Sequence, residues 1–472
     1  MNRKLVITSS LKSIFYLILE DNIPVELKVE DKELSKQTGN IYKGKVKKVV
    51  PAMNAYFVDI GEDKEAFLPV KDLCKEDKEC KNLKVGDTVI AQVRRSPVST
   101  KGAKLSCKIA IPGKYLVLLP RLKNQISISS KFEDQEFREN LKEHISNILK
   151  PYNEEKYGFI IRTSSEKATD QQIIEDFLHL KQEWIEILKS AEKQKAPSLI
   201  YEESFKAYSI LRDYAGEFEE IISDDINILK EIKKYITKNF PNVNIKLTPY
   251  RKRKQSLYYQ YQIDKIINKI LSPYVWLKSG AYLIIEETEA LTVIDVNSGS
   301  YCKQKNLEDL AYSINLEAAK EIAYQIRLRD LAGIIIIDFI DMQQKEHKEA
   351  LINFIKEEFK KDKRPIKVKG ITELGLLEMT RKKIDESLIK QLSESCPVCN
   401  GKGFIKSEDI VLFEIEKAIN QLKPFVKLII KINPKIAKSV SELIKNLNLE
   451  DIVSIEYNNK LMVDKFELEK IS

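Results

Sequence analysis

The residues of this chain best suited to chemistry are two aspartates that end apolar, strand-like runs. Asp295 follows Leu291-Thr-Val-Ile, with Asn297 two residues on; Asp338 follows four isoleucines, Ile334 to Ile337, with Asp341 three residues on. An ionised carboxylate at the mouth of an apolar strand is costly unless a cation meets it. Two of them at two strand ends are what a hard, oxygen-seeking cation such as Mg²⁺ uses. A spacing of two along a strand puts Asn297 on the same face as Asp295. The plainer alternative is that each aspartate caps the helix after its strand. The presence of both, with Asn297 beside one, favours metal binding. The isoleucine run reads as a strand buried on both faces, and Asp341 reads as structural.

The elements that position the pair follow from periodicity. Asn315 to Asp330 is helical, with an apolar stripe at Leu316, Ala319, Ile322, Ala323 and Ile326, and Gly333 is expected to stop it. A strand–helix–strand unit brings both aspartates to the carboxyl edge of one sheet. The only histidines are His144, His179 and His347, and none lies in the aspartate blocks. Paired histidines acting as acid and base are therefore disfavoured, and metal-assisted hydrolysis is favoured.

The 472 residues imply several domains, and a net charge of +8 with 32% charged residues permits a polyanionic partner without proving one. The amino terminus lacks the apolar core of a signal peptide, and no run approaches the ~20 apolar residues of a membrane span. Six cysteines in so long a chain form no disulfide scaffold, so a reducing compartment is expected. Cys396-Pro-Val-Cys399, followed by Asn-Gly-Lys-Gly403, reads as half of a tetrahedral Zn²⁺ site. No second pair of this spacing exists, so the other two thiolates are expected from a second chain, in a homodimer sharing one Zn²⁺. A redox pair and an inert pair are the alternatives. Residues 36–112 carry short alternating strands with glycine turns, the pattern of a small barrel. The basic run Tyr250 to Lys254 is either a solvated face or, beside a channel for a polyanion, a phosphate contact.

Asp295-Val-Asn-Ser-Gly299, Asn315-Leu-Glu-Ala-Ala319, Arg327-Leu-Arg-Asp-Leu-Ala-Gly333, Asp338-Phe-Ile-Asp-Met342 and Gly375-Leu-Leu-Glu-Met-Thr-Arg381 together resemble the catalytic half of the ribonuclease E/G endoribonucleases. The match runs in order from about residue 36 to about residue 405. It implies a multidomain α/β fold. A ribonuclease H-like subdomain would be split between 1–35 and 208–270. Between its parts would lie an S1-type OB-fold RNA-binding domain at 36–112 and a 5′-sensor region at 113–207. A deoxyribonuclease I-like catalytic domain at 271–391, a zinc-link at 392–405 and a small α/β domain at 406–472 would follow.

The resemblance implies a Mg²⁺-dependent endoribonuclease of RNA processing and decay, acting on rRNA and mRNA. It would cut single-stranded RNA to leave a 5′-phosphate and a 3′-hydroxyl. Asp295 and Asp338 would hold the metal, and Asn297 would orient a carboxylate or the scissile phosphate. Phe57, Phe67 and Lys101 match the RNA-stacking and basic contacts of the barrel, the alternative being that the phenylalanines are barrel core. Arg162 and Thr163 match the ligands of a 5′-monophosphate. One departure stands beside them: Ile128 and Ser129 occupy the places of the basic pair usual after Ile-Ser. The resemblance also implies the zinc-linked homodimer, with a homotetramer left open. No long scaffold for degradation partners is expected in this chain, and the compartment would be bacterial cytoplasm or plastid stroma. A catalytically inactive RNA-binding protein of the same fold, and a metal-dependent deoxyribonuclease or phosphatase, are the rival readings.

Overall fold

The computed structural model describes residues 2–32, 38–74, 83–95, 97, 102–129, 132, 134–202, 206–214, 216–240, 243–251, 255–299, 307–384, 386–399, 401–422 and 427–471. Lys101 and the stretch 252–254 of the basic run lie outside them. The chain divides into two compact units, Met1–Leu392 and Ser393–Ser472.

The first unit opens with an antiparallel meander, β1 (Arg3–Ser9), β2 (Ser13–Glu20) and β3 (Ile23–Asp31). Asp21 and Asn22 both take positive φ, 50° and 64°, as a two-residue hairpin turn requires. Then β4 (Ile41–Val50), β5 (Ala55–Asp59), β6 (Ala66–Pro69), β7 (Thr88–Arg95) and β8 (Lys104–Ser106) form a barrel, closed by pairing of β4 with β7. Gly44 makes the coiling of β4 possible, since a Cβ there would sit 2.4 Å from Val58. Next come β9 (Ile111–Pro112), β10 (Leu116–Leu119), β11 (Ile126–Ile128), α1 (Gln135–Leu149), β12 (Gly158–Ile161) and α2 (Asp170–Lys193). These strands make a four-stranded sheet that shares one core with both helices. A capping box between Thr169 and Gln172 starts α2. The strand β13 (Ser198–Tyr201) returns to pair with β4 of the barrel.

The chain continues through α3 (Lys206–Asp213), β14 (Glu220–Ser223), α4 (Ile226–Asn239), β15 (Lys246–Pro249), α5 (Leu257–Gln260) and α6 (Ile263–Leu271). Here β14 and β15 join the amino-terminal meander, giving the order β15-β14-β1-β2-β3. The last sheet is built from β16 (Tyr274–Trp276), β17 (Tyr282–Glu287), β18 (Leu291–Asn297), α7 (Leu307–Leu328), β19 (Gly333–Asp338), α8 (Lys345–Phe359), β20 (Ile366–Ile371) and β21 (Leu376–Arg381), ahead of α9 (Leu388–Leu392). Its order is β16-β17-β18-β19-β21-β20.

Two expectations are corrected here. The isoleucine strand is not buried on both faces: Ile335 and Ile337 are in the core, but Ile334 is 49% exposed. Both α7 and α8 pack on one side, so β17, β18 and β19 each alternate buried with partly exposed residues. Nor does Gly333 stop α7. The helix ends at Leu328, Asp330 turns the chain with φ 56°, and Gly333 opens β19.

The Arg327-Leu-Arg-Asp block explains itself as internal scaffolding. Arg327 reaches Glu20 and Glu26 of β2 and β3. Arg329, fully buried, donates to the carbonyls of Lys269, Ile270 and Ser272 at the end of α6, at 3.0, 3.1 and 2.8 Å. A guanidinium there satisfies carbonyls that the helix leaves unpaired. Arg381 bridges Asp330 and Asp362, each at 2.8 Å, and Arg364 also pairs with Asp330 at 2.8 Å. Burial alone would push the Asp330 carboxyl up; Arg364 and Arg381 outweigh it and hold the group below its usual range.

The second unit holds α10 (Glu408–Leu422), β22 (Lys427–Ile432), α11 (Ala437–Asn446), β23 (Val453–Tyr457) and β24 (Phe466–Ile471), with strand order β23-β22-β24. The strand β24 follows the two helices and two strands expected from the sequence of this segment. Among the described residues, no helix is long and apolar enough to cross a membrane.

Candidate active site

In the six-stranded sheet β18 and β19 run parallel, with Asp295 and Asp338 as direct cross-strand partners at their carboxyl ends. Both side chains stand on the face away from α7 and α8. Asn297 donates its amide N–H to Asp295 Oδ2 at 2.7 Å, which fixes that carboxylate's orientation. Asp338 is exposed, and so is Asp341 in the loop that follows. Partial burial, with the like charges of Asp295 and Asp341, raises the Asp338 carboxyl above its usual range. Asp338 does not cap α8, which begins after Gln344 with no side-chain cap bond, and Asp295 lies within β18 itself. Asp341, read as structural from sequence, is an exposed carboxylate that adds to the site's negative charge.

The loop after Asp338 is held from beneath. Asn315, buried in α7, donates to the Ile340 carbonyl at 2.8 Å and accepts the Ile340 N–H at 3.0 Å. Glu308 accepts the N–H groups of Gln343 and Gln344 at 2.8 and 3.0 Å, and these bonds hold its carboxyl below the ordinary range. Gly299 passes so close to Gly280 that a Cβ would lie 2.5 Å from its carbonyl oxygen. The arrangement therefore presents oriented, hard oxygen donors on an open face. Among the described residues, no three of His, Cys, Asp and Glu converge on one metal position. A Mg²⁺ held by one or two carboxylates and otherwise hydrated fits that donor set. No histidine joins it: His347 stacks on Tyr312 with centroids 4.2 Å apart, and His144 pairs with Asp170 at 2.8 Å.

On the barrel, Phe57 and Phe67 are direct partners across β5 and β6, with rings 5.8 Å apart in an edge arrangement. Both are half-buried and absent from the barrel core of Val58, Ala66 and Leu68. Their row continues to Lys48 on one side and Lys104 on the other. The row Lys48-Phe57-Phe67-Lys104 is thus two rings between two cations, the pairing used to hold single-stranded nucleic acid.

In the 113–207 region, Arg162 donates to the Gly113 carbonyl at 3.0 Å and to Asp213 Oδ1 at 2.9 Å, while Thr163 is exposed. Asp176 accepts the N–H groups of Lys114, Tyr115 and Leu116 and fixes the strand entry beside Arg162. In the second unit, backbone N–H groups of Cys399 and Val398 point at the Cys396 sulfur and hold its thiol below the usual range. Gly403 N–H lies 3.3 Å from Cys399 Sγ, and Gly401 and Gly403 take the positive φ values, 82° and 80°, that this turn needs. The turn brings two cysteine sulfurs together, half of what a closed tetrahedral site needs.

The Ribonuclease E/G family model matches residues 110–384, and the S1 RNA binding domain model matches residues 35–108. This chain belongs to the ribonuclease E/G family. Ribonuclease G of Haemophilus influenzae is 37% identical over 417 residues, covering 85% of this chain and 84% of that protein. Ribonuclease G of Escherichia coli is 35% identical over 416 residues, with the same coverage of 85% and 84%. Ribonuclease E of Escherichia coli is 32% identical over 434 residues, 89% of this chain but 40% of that protein.

Several residues of this ribonuclease E/G chain escaped the sequence reading. Lys48 and Lys104 join the phenylalanine row only through cross-strand register, and Asn315 reads as a helix start rather than a loop anchor. The row makes a direct prediction. Phe57→Ala and Phe67→Ala should each weaken RNA binding by about 1–3 kcal/mol, the value of one stacked base, with little change in melting temperature. Titrations of folded variants with single-stranded RNA check this; a large melting shift at unchanged affinity would return both rings to the core.

Proposed function

We propose that this chain is a Mg²⁺-dependent endoribonuclease that hydrolyses single-stranded RNA in rRNA maturation and mRNA turnover. It would leave a 5′-phosphate and a 3′-hydroxyl and respond to a 5′-monophosphate. Family membership makes the chain an RNA-processing endoribonuclease with an S1 RNA-binding domain. The observation that carries metal-dependent hydrolysis is the cross-strand pair Asp295–Asp338 on an open sheet face. Asp295, oriented by Asn297, and Asp338 would hold the metal. When bound, Mg²⁺ supplies positive charge to the phosphate and makes water a better nucleophile. Asn315 and Glu308 hold the acidic loop in place, and Asn297 would contact the scissile phosphate through its remaining amide N–H. Phe57, Phe67, Lys48 and Lys104 would grip bases and backbone.

In this reading the sheet β15-β14-β1-β2-β3 would be the split ribonuclease H-like subdomain and β16 to β21 the deoxyribonuclease I-like domain, beside the S1-type barrel of β4 to β8. Arg162 and Thr163 would receive the 5′-phosphate, with the phosphate displacing Asp213 from Arg162. Incubating the full chain with matched RNA and DNA oligonucleotides, each with a 5′-monophosphate or 5′-triphosphate and with or without Mg²⁺, tests the proposal. Binding of RNA without cleavage under any metal would favour an inactive RNA-binding protein, and equal cutting of DNA a general nuclease.

The two thiolates of Cys396 and Cys399 would form half of a Zn²⁺ site completed by a second copy, since a closed structural site needs four ligands. Cys396→Ser or Cys399→Ser is expected to release monomers and to lose one zinc per two chains. Metal analysis with mass in solution reads both; a stable dimer of the double serine variant refutes the shared site.

A further inference from the structure

The open face that carries the acidic pair extends into aromatic residues that the reaction described above does not use. Register puts Tyr274, Ile284, Asp295, Asp338 and Leu376 in one cross-sheet row. It puts Trp276, Tyr282 and Asn297 in the next. Residues paired across strands share a face, so Tyr274 and Trp276 stand on the same face as the two carboxylates. Val275, between them, packs into the core on the other side. Trp276 is 70% exposed and Tyr274 54% exposed. Their rings lie 5.1 and 6.2 Å from that of Tyr282, forming one contiguous surface.

This surface is held firmly. Arg329 fixes the carbonyls of Ile270 and Ser272 just before β16. The turn after Trp276 is fixed by Glu317, which accepts the N–H groups of Lys278 and Ser279 at 2.8 and 3.3 Å. At the usual strand spacing of ~4.8 Å, Trp276 lies about 10 Å from Asn297, within reach of nucleotides that adjoin a phosphate seated at the pair. Exposed contiguous rings mark a binding surface, and a flat π-face suits any base.

We infer that Tyr274, Trp276 and Tyr282 form a base-stacking platform for the RNA nucleotides flanking the scissile phosphate, a subsite on the catalytic sheet separate from the barrel. The inference rests on the endoribonuclease reading of the Asp295–Asp338 site. Because the chain has two tryptophans and Trp184 is buried, Trp276 reports on its own environment.

The test follows tryptophan emission and acrylamide quenching of the full chain in Mg²⁺-free buffer without chelator, titrated with a short unstructured oligoribonucleotide. Cleavage of the same RNA in Mg²⁺ is measured in parallel. RNA is expected to quench the emission and shield Trp276 from acrylamide. Trp276→Ala should weaken binding about 5- to 150-fold, one stacked base, while Trp276→Phe retains most of the affinity. Unchanged emission and unchanged affinity of Trp276→Ala would overturn the platform. So would a Trp276 already shielded without RNA, with Trp276→Ala converting dimers to monomers, because the face would then be covered by a second copy. Absence of cleavage by the wild-type chain would instead defeat the catalytic reading, and the emission change would still decide the platform.

Discussion

Asp338→Asn and Asp295→Asn should each reduce RNA cleavage at least ~10²- to 10³-fold, the scale of losing one preorganised electrostatic group, while RNA binding stays near wild type. The two carboxylates face each other across β18 and β19, and among the described residues no cationic side chain hydrogen-bonds or ion-pairs with either. Asparagine preserves shape and removes the charge a cation needs. The pH dependence has a definite sign. Asp338 is raised by partial burial and by Asp295 and Asp341. Protons therefore compete with metal for it at a higher pH than for an isolated aspartate, and cleavage falls as the pH drops through that raised value. Higher Mg²⁺ should move the acid limb to lower pH, since metal binding displaces the proton. Near-wild-type rates of either variant in ordinary Mg²⁺ would refute the assignment; an acid limb insensitive to Mg²⁺ would remove Asp338 from the metal.

Arg381→Met should destabilise the first unit by about 3–5 kcal/mol, as expected when one partner of a buried ion pair is removed. Arg381 is buried and is the shared partner of Asp330 and Asp362, which are themselves buried. Methionine fills much of the space but removes the Arg381 guanidinium from both Asp362 and Asp330, and Asp330 keeps its pairing with Arg364. Replacing Lys234, which pairs with Glu231 on the surface, should change little by comparison. Denaturant unfolding of both variants makes the comparison; equal midpoints would show that the network contributes no net stability.

Much of the site was legible because strand ends announce themselves. The runs before Asp295 and Asp338 are too apolar for anything but a sheet, and the carboxylates ending them needed explanation. What stayed hidden is what depends on register or on a polar residue's partner. Asn315 looks like a helix start, yet α7 begins at Leu307 and buries Asn315 mid-helix because its amide serves Ile340. The alternating Phe-Glu-Leu-Glu of β24 becomes recognisable as a strand only where β22 is there to pair with it. The strand β16 has three residues, too few for a periodicity, so the exposure of Trp276 could not be read. The isoleucine run suggested two covered faces, and only the side taken by both helices shows that one is open.

The first sheet has a consequence for how the chain comes off the ribosome. Residues Lys4 to Ile7 of β1 take their parallel partner from Glu220 to Ser223, more than two hundred residues later. The hairpins β1–β2 and β2–β3 can form at once, but the other edge of β1 has no neighbour until β14 has emerged. Non-local parallel pairing is slow to form, and an open strand edge invites pairing with another chain. The barrel and the β9–β12 sheet lie wholly within the intervening stretch and can close while β1 waits. A nascent chain arrested before β14 therefore carries a finished RNA-binding barrel beside an unpaired hydrophobic edge, the form of this protein most prone to aggregate.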